Sequence, residues 1–167
     1  MITKHYVTPP RGIALKFEGI IDMKELYRQM KLWLEDKGYA KEDTIEKSYV
    51  EKIKPEGKQI EILWEGGKKI SDYITYKVKV TFLFLNTSEV EVQRENVKIK
   101  LYKGNFQIFI VGIVEEGIGD EWESVGPFRR LYHNLIARRR TQDYINELYN
   151  KIYSFQDSIR KFLEIRT

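Results

Sequence analysis

An α+β fold, a twisted antiparallel sheet with its helices on one face, is predicted by three features of the 167-residue sequence. The stretch from Ile70 to Phe84, ISDYITYKVKVTFLF, carries an apolar side chain at every even position except Asp72, with mostly polar residues between them. A period of two with one wet face describes a half-buried strand whose dry face needs cover. Two amphipathic stretches, one near each end of the chain, have helical spacing and can supply that cover. Between them only strand patterns occur, about six or seven in the whole chain, without the strand-helix-strand alternation of a parallel nucleotide-binding sheet.

The N-terminal residues 1–11 contain Pro9-Pro10 and read as an extended arm. Ile13 to Ile21 is a one-sided strand with Ile13, Leu15, Phe17 and Ile21 on its apolar face. Asp22-Met23-Lys24-Glu25 then spells a capping box, an acceptor at the helix start with a glutamate three residues on. The helix it opens has Met23, Leu26, Tyr27, Met30, Trp33 and Leu34 on one stripe and Gly38 placed to end it.

Ile45 to Lys54 and Gln59 to Glu65 form a predicted hairpin about Pro55-Glu56-Gly57-Lys58, and Gly66-Gly67 is read as the turn into the long strand. Polar turns are predicted at Asn86-Thr87-Ser88, Arg94-Glu95-Asn96 and Lys103-Gly104-Asn105, with short strands between them. Phe106 to Val114 is apolar on both faces, as a central strand would be. An acidic loop, Glu115 to Glu123, follows, and residues 124–167 form a helical tail. Its first stretch has Phe128, Leu131, Tyr132, Leu135 and Ile136 on one stripe; a second begins at Thr141 after three arginines. There Ile145, Leu148, Ile152, Phe155, Ile159 and Phe162 make a heptad seam, which either lies on the sheet or pairs with another chain.

In this order of elements, from Ile13 to Phe162, the chain resembles the helix-grip proteins, the START or polyketide-cyclase-like superfamily, whose curved sheet wraps a long C-terminal helix. The resemblance is one of topology and implies an apolar cavity between sheet and helix that holds a lipid-like or aromatic small molecule. It carries over no site residue, because no motif matches. One helix rather than two follows the first strand, and three arginines interrupt the tail.

Composition excludes several function classes. A chain of this length suits a single domain, 1–167, and 42% apolar with 32% charged residues describes a globular protein. The net charge of +4 is too small to predict nucleic-acid binding by itself. Absence of cysteine removes disulfides, thiolate nucleophiles and thiolate metal sites, and fits a cytoplasmic protein. The Lys- and Glu-rich balance is thermophile-like. The longest apolar run, Phe109 to Val114, is far short of the ~20 residues of a membrane span, so a soluble protein without a transmembrane segment is expected.

Basic residues gather in the tail, where residues 124–167 hold nine basic and four acidic side chains. Arg129, Arg130, Arg138, Arg139 and Arg140 are anion-binding candidates, because guanidinium forks grip phosphates, in nucleic acid or on an anionic lipid surface. The same arginines could instead pair with the acidic loop. Trp33, Trp64, Tyr76, Phe82, Phe155 and Phe162 converge if the long helix covers the sheet, either as plain core or as the wall of a ligand pocket. Asp72 is a seventh pocket candidate, or else a strand-end residue paired with a basic side chain. His5 and His133 have no second ligand at metal-binding spacing, no Gly-x-Ser-x-Gly elbow occurs, and Gly117-Ile118-Gly119 is too short for a dinucleotide fingerprint. No catalytic residue, metal or cofactor is expected. The predicted function is a non-enzymatic domain that binds a protein partner, including a second copy, through its C-terminal helix, or an apolar ligand beneath that helix; phosphate or nucleic-acid contact through the arginines is the alternative.

Overall fold

Alternating side chains in the middle of the chain build an antiparallel sheet whose dry face is closed by the two amphipathic helices. The computed structural model describes residues 2–40, 45–71, 73–117 and 126–165, excepting the side chains at 129, 130, 132–134, 137, 138 and 165. The elements are β1 (Ile2–Tyr6), β2 (Ile13–Ile21), α1 (Met23–Asp36), β3 (Glu46–Lys54), β4 (Gly57–Lys69), β5 (Ile74–Arg94), β6 (Val97–Gly117) and α2 (Pro127–Ile165). The sheet order is β1-β6-β5-β4-β3, all antiparallel, with β2 paired to β6 beside β1. The predicted α+β class and antiparallel sheet are therefore present, with both helices as placed.

Helix α1 starts where the capping pattern put it. The Asp22 carboxylate accepts a hydrogen bond from the Glu25 N–H at 3.1 Å, and Gly38, at φ +83, closes the far end in a conformation that costs other residues about 1 kcal/mol or more. Its inner face buries Leu26, Met30 and Leu34. On β5 the even positions from Ile74 to Phe84 are each 1% exposed or less, as the period of two requires. Both helices cover them: Tyr76 lies against Glu147 of α2, and Phe82 lies 6.0 Å from Tyr27 of α1. Leu148, Ile152 and Phe155 are wholly buried and Ile145 and Phe162 partly so, which assigns the seam to the chain's own core. Gly112 lets the helix come down on β6, since a Cβ there would lie 2.6 Å from Val7 Cγ2 and 2.9 Å from Ile152 Cγ1.

Five expectations are corrected. The arm of residues 1–11 contains a strand, β1, which pairs with the last turn of β6 from Ile2 opposite Gly117 to Tyr6 opposite Ile113; Pro9-Pro10 separates it from β2 along the same edge. Gly66-Gly67 is not a turn but lies inside β4, where the missing side chain makes room for α1's exit: a Cβ on Gly66 would sit 2.6 Å from the Tyr39 carbonyl oxygen, and the Gly67 N–H donates to that oxygen at 2.9 Å. Asn86-Thr87-Ser88 and Lys103-Gly104-Asn105 are likewise not turns. They form a bulge, with Asn86 at φ +52 and the register shifted between Leu85 and Ser88, across from Gly104, whose Cβ would lie 2.9 Å from the Leu85 carbonyl oxygen. As a result β5 and β6 run on as one 21-residue ribbon to the predicted turn at Glu95-Asn96, where φ values of +48 and +63 fit a tight hairpin. Glu115, Glu116 and Gly117 end β6 rather than opening a loop, with Lys4 3.8 Å from Glu115 and His5 3.2 Å from Glu116. Finally, α2 is unbroken through Arg138-Arg139-Arg140, since arginine is a good helix former.

Candidate functional site

A 39-residue helix is about 58 Å long, and its two halves differ in burial. Among the described side chains of α2, none before Thr141 is buried. The part from Pro127 to Arg140 thus extends past the core, and its composition differs from the rest. Phe128 is 87% exposed, Leu131 60% and Leu135 64%, and their spacing of three and four residues sets them along one stripe. Ile136, one position beyond Leu135, is half-buried. From residue 126 to 140 the sequence PFRRLYHNLIARRR and its preceding glycine hold five arginines and no acidic residue.

Arginine stays charged at any relevant pH, so this half-helix carries five fixed positive charges beside its apolar stripe. Two of them, Arg129 and Arg130, fall in the first turn, where the helix dipole is positive and the turn itself holds no acidic residue. Arg139 and Arg140 are exposed; of Arg129, Arg130 and Arg138 only the backbone, in the helix, is described. The signal for this site was the stripe at Phe128, Leu131 and Leu135 together with the arginine count. What periodicity alone could not say is that the stripe stays uncovered.

The aromatic pocket candidates fall into separate groups. Trp64 and Phe82 sit under α1, ring centroids 4.8 Å apart, with Tyr27 4.5 Å from Trp64. Trp33 stacks on Phe155 at 4.4 Å where α1 meets α2. Phe162 lies at the same junction, lining with them a shallow groove of about 340 Å³. Tyr76 stands apart under α2, 6.2 Å from Tyr144, and donates to the Glu147 carboxylate at 3.2 Å. Trp64, Tyr76, Phe82 and Phe155 are each 1% exposed or less and lie against other rings, the packing of a core. Asp72 lies outside the described residues.

Burial is also what governs the tyrosine hydroxyls. It raises Tyr76 above its ordinary range, helped by the charge of Glu147, and pushes Tyr39 up to about 12. These groups are protonated at neutral pH, and Tyr76 serves as a donor, not a base. Among the described residues no three His, Asp or Glu side chains cluster as metal ligands, and no helix is long and apolar enough to cross a membrane. The half of α2 before Thr141 presents the exposed side chains of Phe128, Leu131 and Leu135 in a segment that holds five arginines. No family model matches the chain, and neither curated proteins nor solved structures gave a significant match.

Proposed function

We propose that the protein is a non-enzymatic binding module that docks through residues 127–140 of α2 onto an anionic lipid surface. One observation carries this reading: Phe128, Leu131 and Leu135 are exposed on a helix segment with five arginines and no acidic residue. Interfacial helices have this make-up, an apolar face that enters the acyl boundary and basic residues that meet the headgroups. Acidic headgroups would also offset the unfavourable placement of Arg129 and Arg130 at the positive end of the helix dipole. The seam from Ile145 to Phe162 holds the other half of the helix on the sheet, so the body of the protein would ride on the surface as a rigid load.

Vesicle co-sedimentation tests the proposal. The protein should pellet with vesicles containing phosphatidylserine and stay in solution with phosphatidylcholine alone. Each basic residue near an anionic bilayer contributes about 1 kcal/mol, so replacing Arg138, Arg139 and Arg140 by Ala should lower partitioning roughly a hundredfold. Leu131→Glu with Leu135→Glu should abolish it, and Phe128→Trp should show a blue-shifted emission on the vesicles. Binding lost with the arginines but untouched by the two leucine changes would replace this reading with one of nucleic-acid or other polyanion contact. No pelleting with acidic vesicles sinks it.

A further inference from the structure

The sheet face opposite the helices holds a second feature, a cleft of about 480 Å³ lined by Lys4, Lys47, Lys69, Lys77 and Lys79 together with Glu65 and Glu115. Strand register explains its shape. Side chains directly across an antiparallel sheet share a face, and three such rows meet here: Lys4, Glu115, Thr75 and Lys69; then Tyr6, Ile113, Lys77 and Gly67; then Val111, Lys79 and Glu65. The middle row makes the hollow. Gly67 contributes no side chain, so the Lys77 amine leans over it, and a Cβ there would lie 3.2 Å from Lys77 Nζ. Ile113, only 3% exposed although it is on the helix-free face, forms part of the floor.

Glu115 is 3.8 Å from Lys4 and Glu65 is 3.4 Å from Lys79. The described lining holds five lysines and two glutamates, and among the described residues Lys77, at its centre, has no carboxylate partner. Lysine binds phosphate as a movable point charge and imposes no planar geometry. The volume falls within the ordinary range of small-molecule sites, roughly 300–1,000 Å³.

We infer that this cleft binds a small anion carrying two or more phosphate groups, with Lys77 as its central contact. The site is concave and separate from α2, so it is independent of the membrane reading. The long strand's odd positions already showed Lys77 and Lys79 on one face, but only the register brings Lys4 and Lys69 to them, and Lys47 joins the lining from the irregularity in β3.

Calorimetric titration with inorganic tripolyphosphate is the test, with ATP as a second arm to separate a bare phosphate chain from a nucleotide. Saturable, salt-sensitive binding at one site is expected. Lys77→Gln should weaken it tenfold or more, Lys77→Arg should largely restore it, and Lys100→Ala, on the far ribbon, should leave it unchanged. Circular dichroism of each variant checks that the fold is intact. Saturable binding of ATP without any of tripolyphosphate would overturn the assignment of the phosphate chain as the ligand. Absence of saturation with either probe, or equal losses on changing Lys77 and Lys100, would overturn the site.

Discussion

Trp33 of α1 stacks on Phe155 of α2 with ring planes 19° from parallel, and Tyr39, just past the end of α1, lies nearly parallel to the same indole at 6.2 Å. This aromatic contact ties the two helices to each other as well as to the sheet. Phe155→Ala should therefore cost about 3–5 kcal/mol, and Phe155→Leu about 1 kcal/mol, in urea unfolding. A loss under 1 kcal/mol for the alanine variant would show that the helices hold together without this contact.

Gly66 gives a steric test of the β4 reading. Gly66→Ala forces a Cβ to within 2.6 Å of the Tyr39 carbonyl oxygen, so the end of α1 must shift, at a cost of about 1–3 kcal/mol. Gly126→Ala, where a Cβ meets nothing within 4 Å, is the matched control and should be close to neutral. Thermal unfolding of the two variants side by side decides the matter.

Thr87 is buried at the bulge with 2% exposure, and its hydroxyl has no hydrogen-bond partner among the described residues. An unpaired buried hydroxyl costs about 1–3 kcal/mol. Thr87→Val should accordingly raise stability by about 1 kcal/mol, visible as a higher urea midpoint at unchanged slope. A destabilised valine variant would mean the hydroxyl is satisfied by a bound water.

The Tyr27 hydroxyl donates to the Glu46 carboxylate and accepts from Trp64 Nε1 at 3.2 Å. Its pKa is pushed up to about 12, first by burial and then by the hydrogen bond to Glu46. Ionisation is easier in the unfolded chain, near 10, than in the fold. The neutral hydroxyl's contribution to stability is thus complete below pH 10 and is lost as pH rises from 10 through about 12. Unfolding midpoints measured across that window should fall for the wild type and fall less steeply for Tyr27→Phe. Identical slopes would remove Tyr27 from the alkaline transition.

Much of this architecture was legible because the signals were local. The β2 pattern from Ile13 to Ile21, the Asp22 cap and the even face of β5 depend on neighbouring residues, and they stand where periodicity and capping chemistry put them. The misplaced turns have one physical origin. Asparagine and glycine mark any place where φ is positive or backbones approach closely, and a bulge satisfies that as well as a turn does. Asn86 and Gly104 sit across from each other in the ribbon, and Gly66 faces a carbonyl from another element; neither pairing exists within a window of sequence. Strand β1 escaped for the same reason, since its partner lies at the other end of β6. The arginine cluster was visible, but the exposure of the stripe beside it depends on what packs on that half of α2. The lysine cleft depends on register throughout.

The pairing of the ribbon also sets an order of assembly. Arg94 and Val97 are neighbours across the Glu95-Asn96 turn, three positions apart, whereas Ile2 meets Gly117 across 115 positions. Closing a loop costs entropy that grows with its length, so β5 and β6 can zip outward from their turn early, and β1 has no edge to join until the end of β6 is in place. Of the six strands, β1 precedes the others in sequence and docks last. Pulse-labelled hydrogen exchange during refolding should therefore protect the amides of Val90 and Leu101 before those of His5 and Tyr6; simultaneous protection would count against a zipper starting at the turn. In synthesis β1 precedes its partner on β6 by more than a hundred residues, so its edge waits unpaired for that long, with Lys4 as the fixed charge in it.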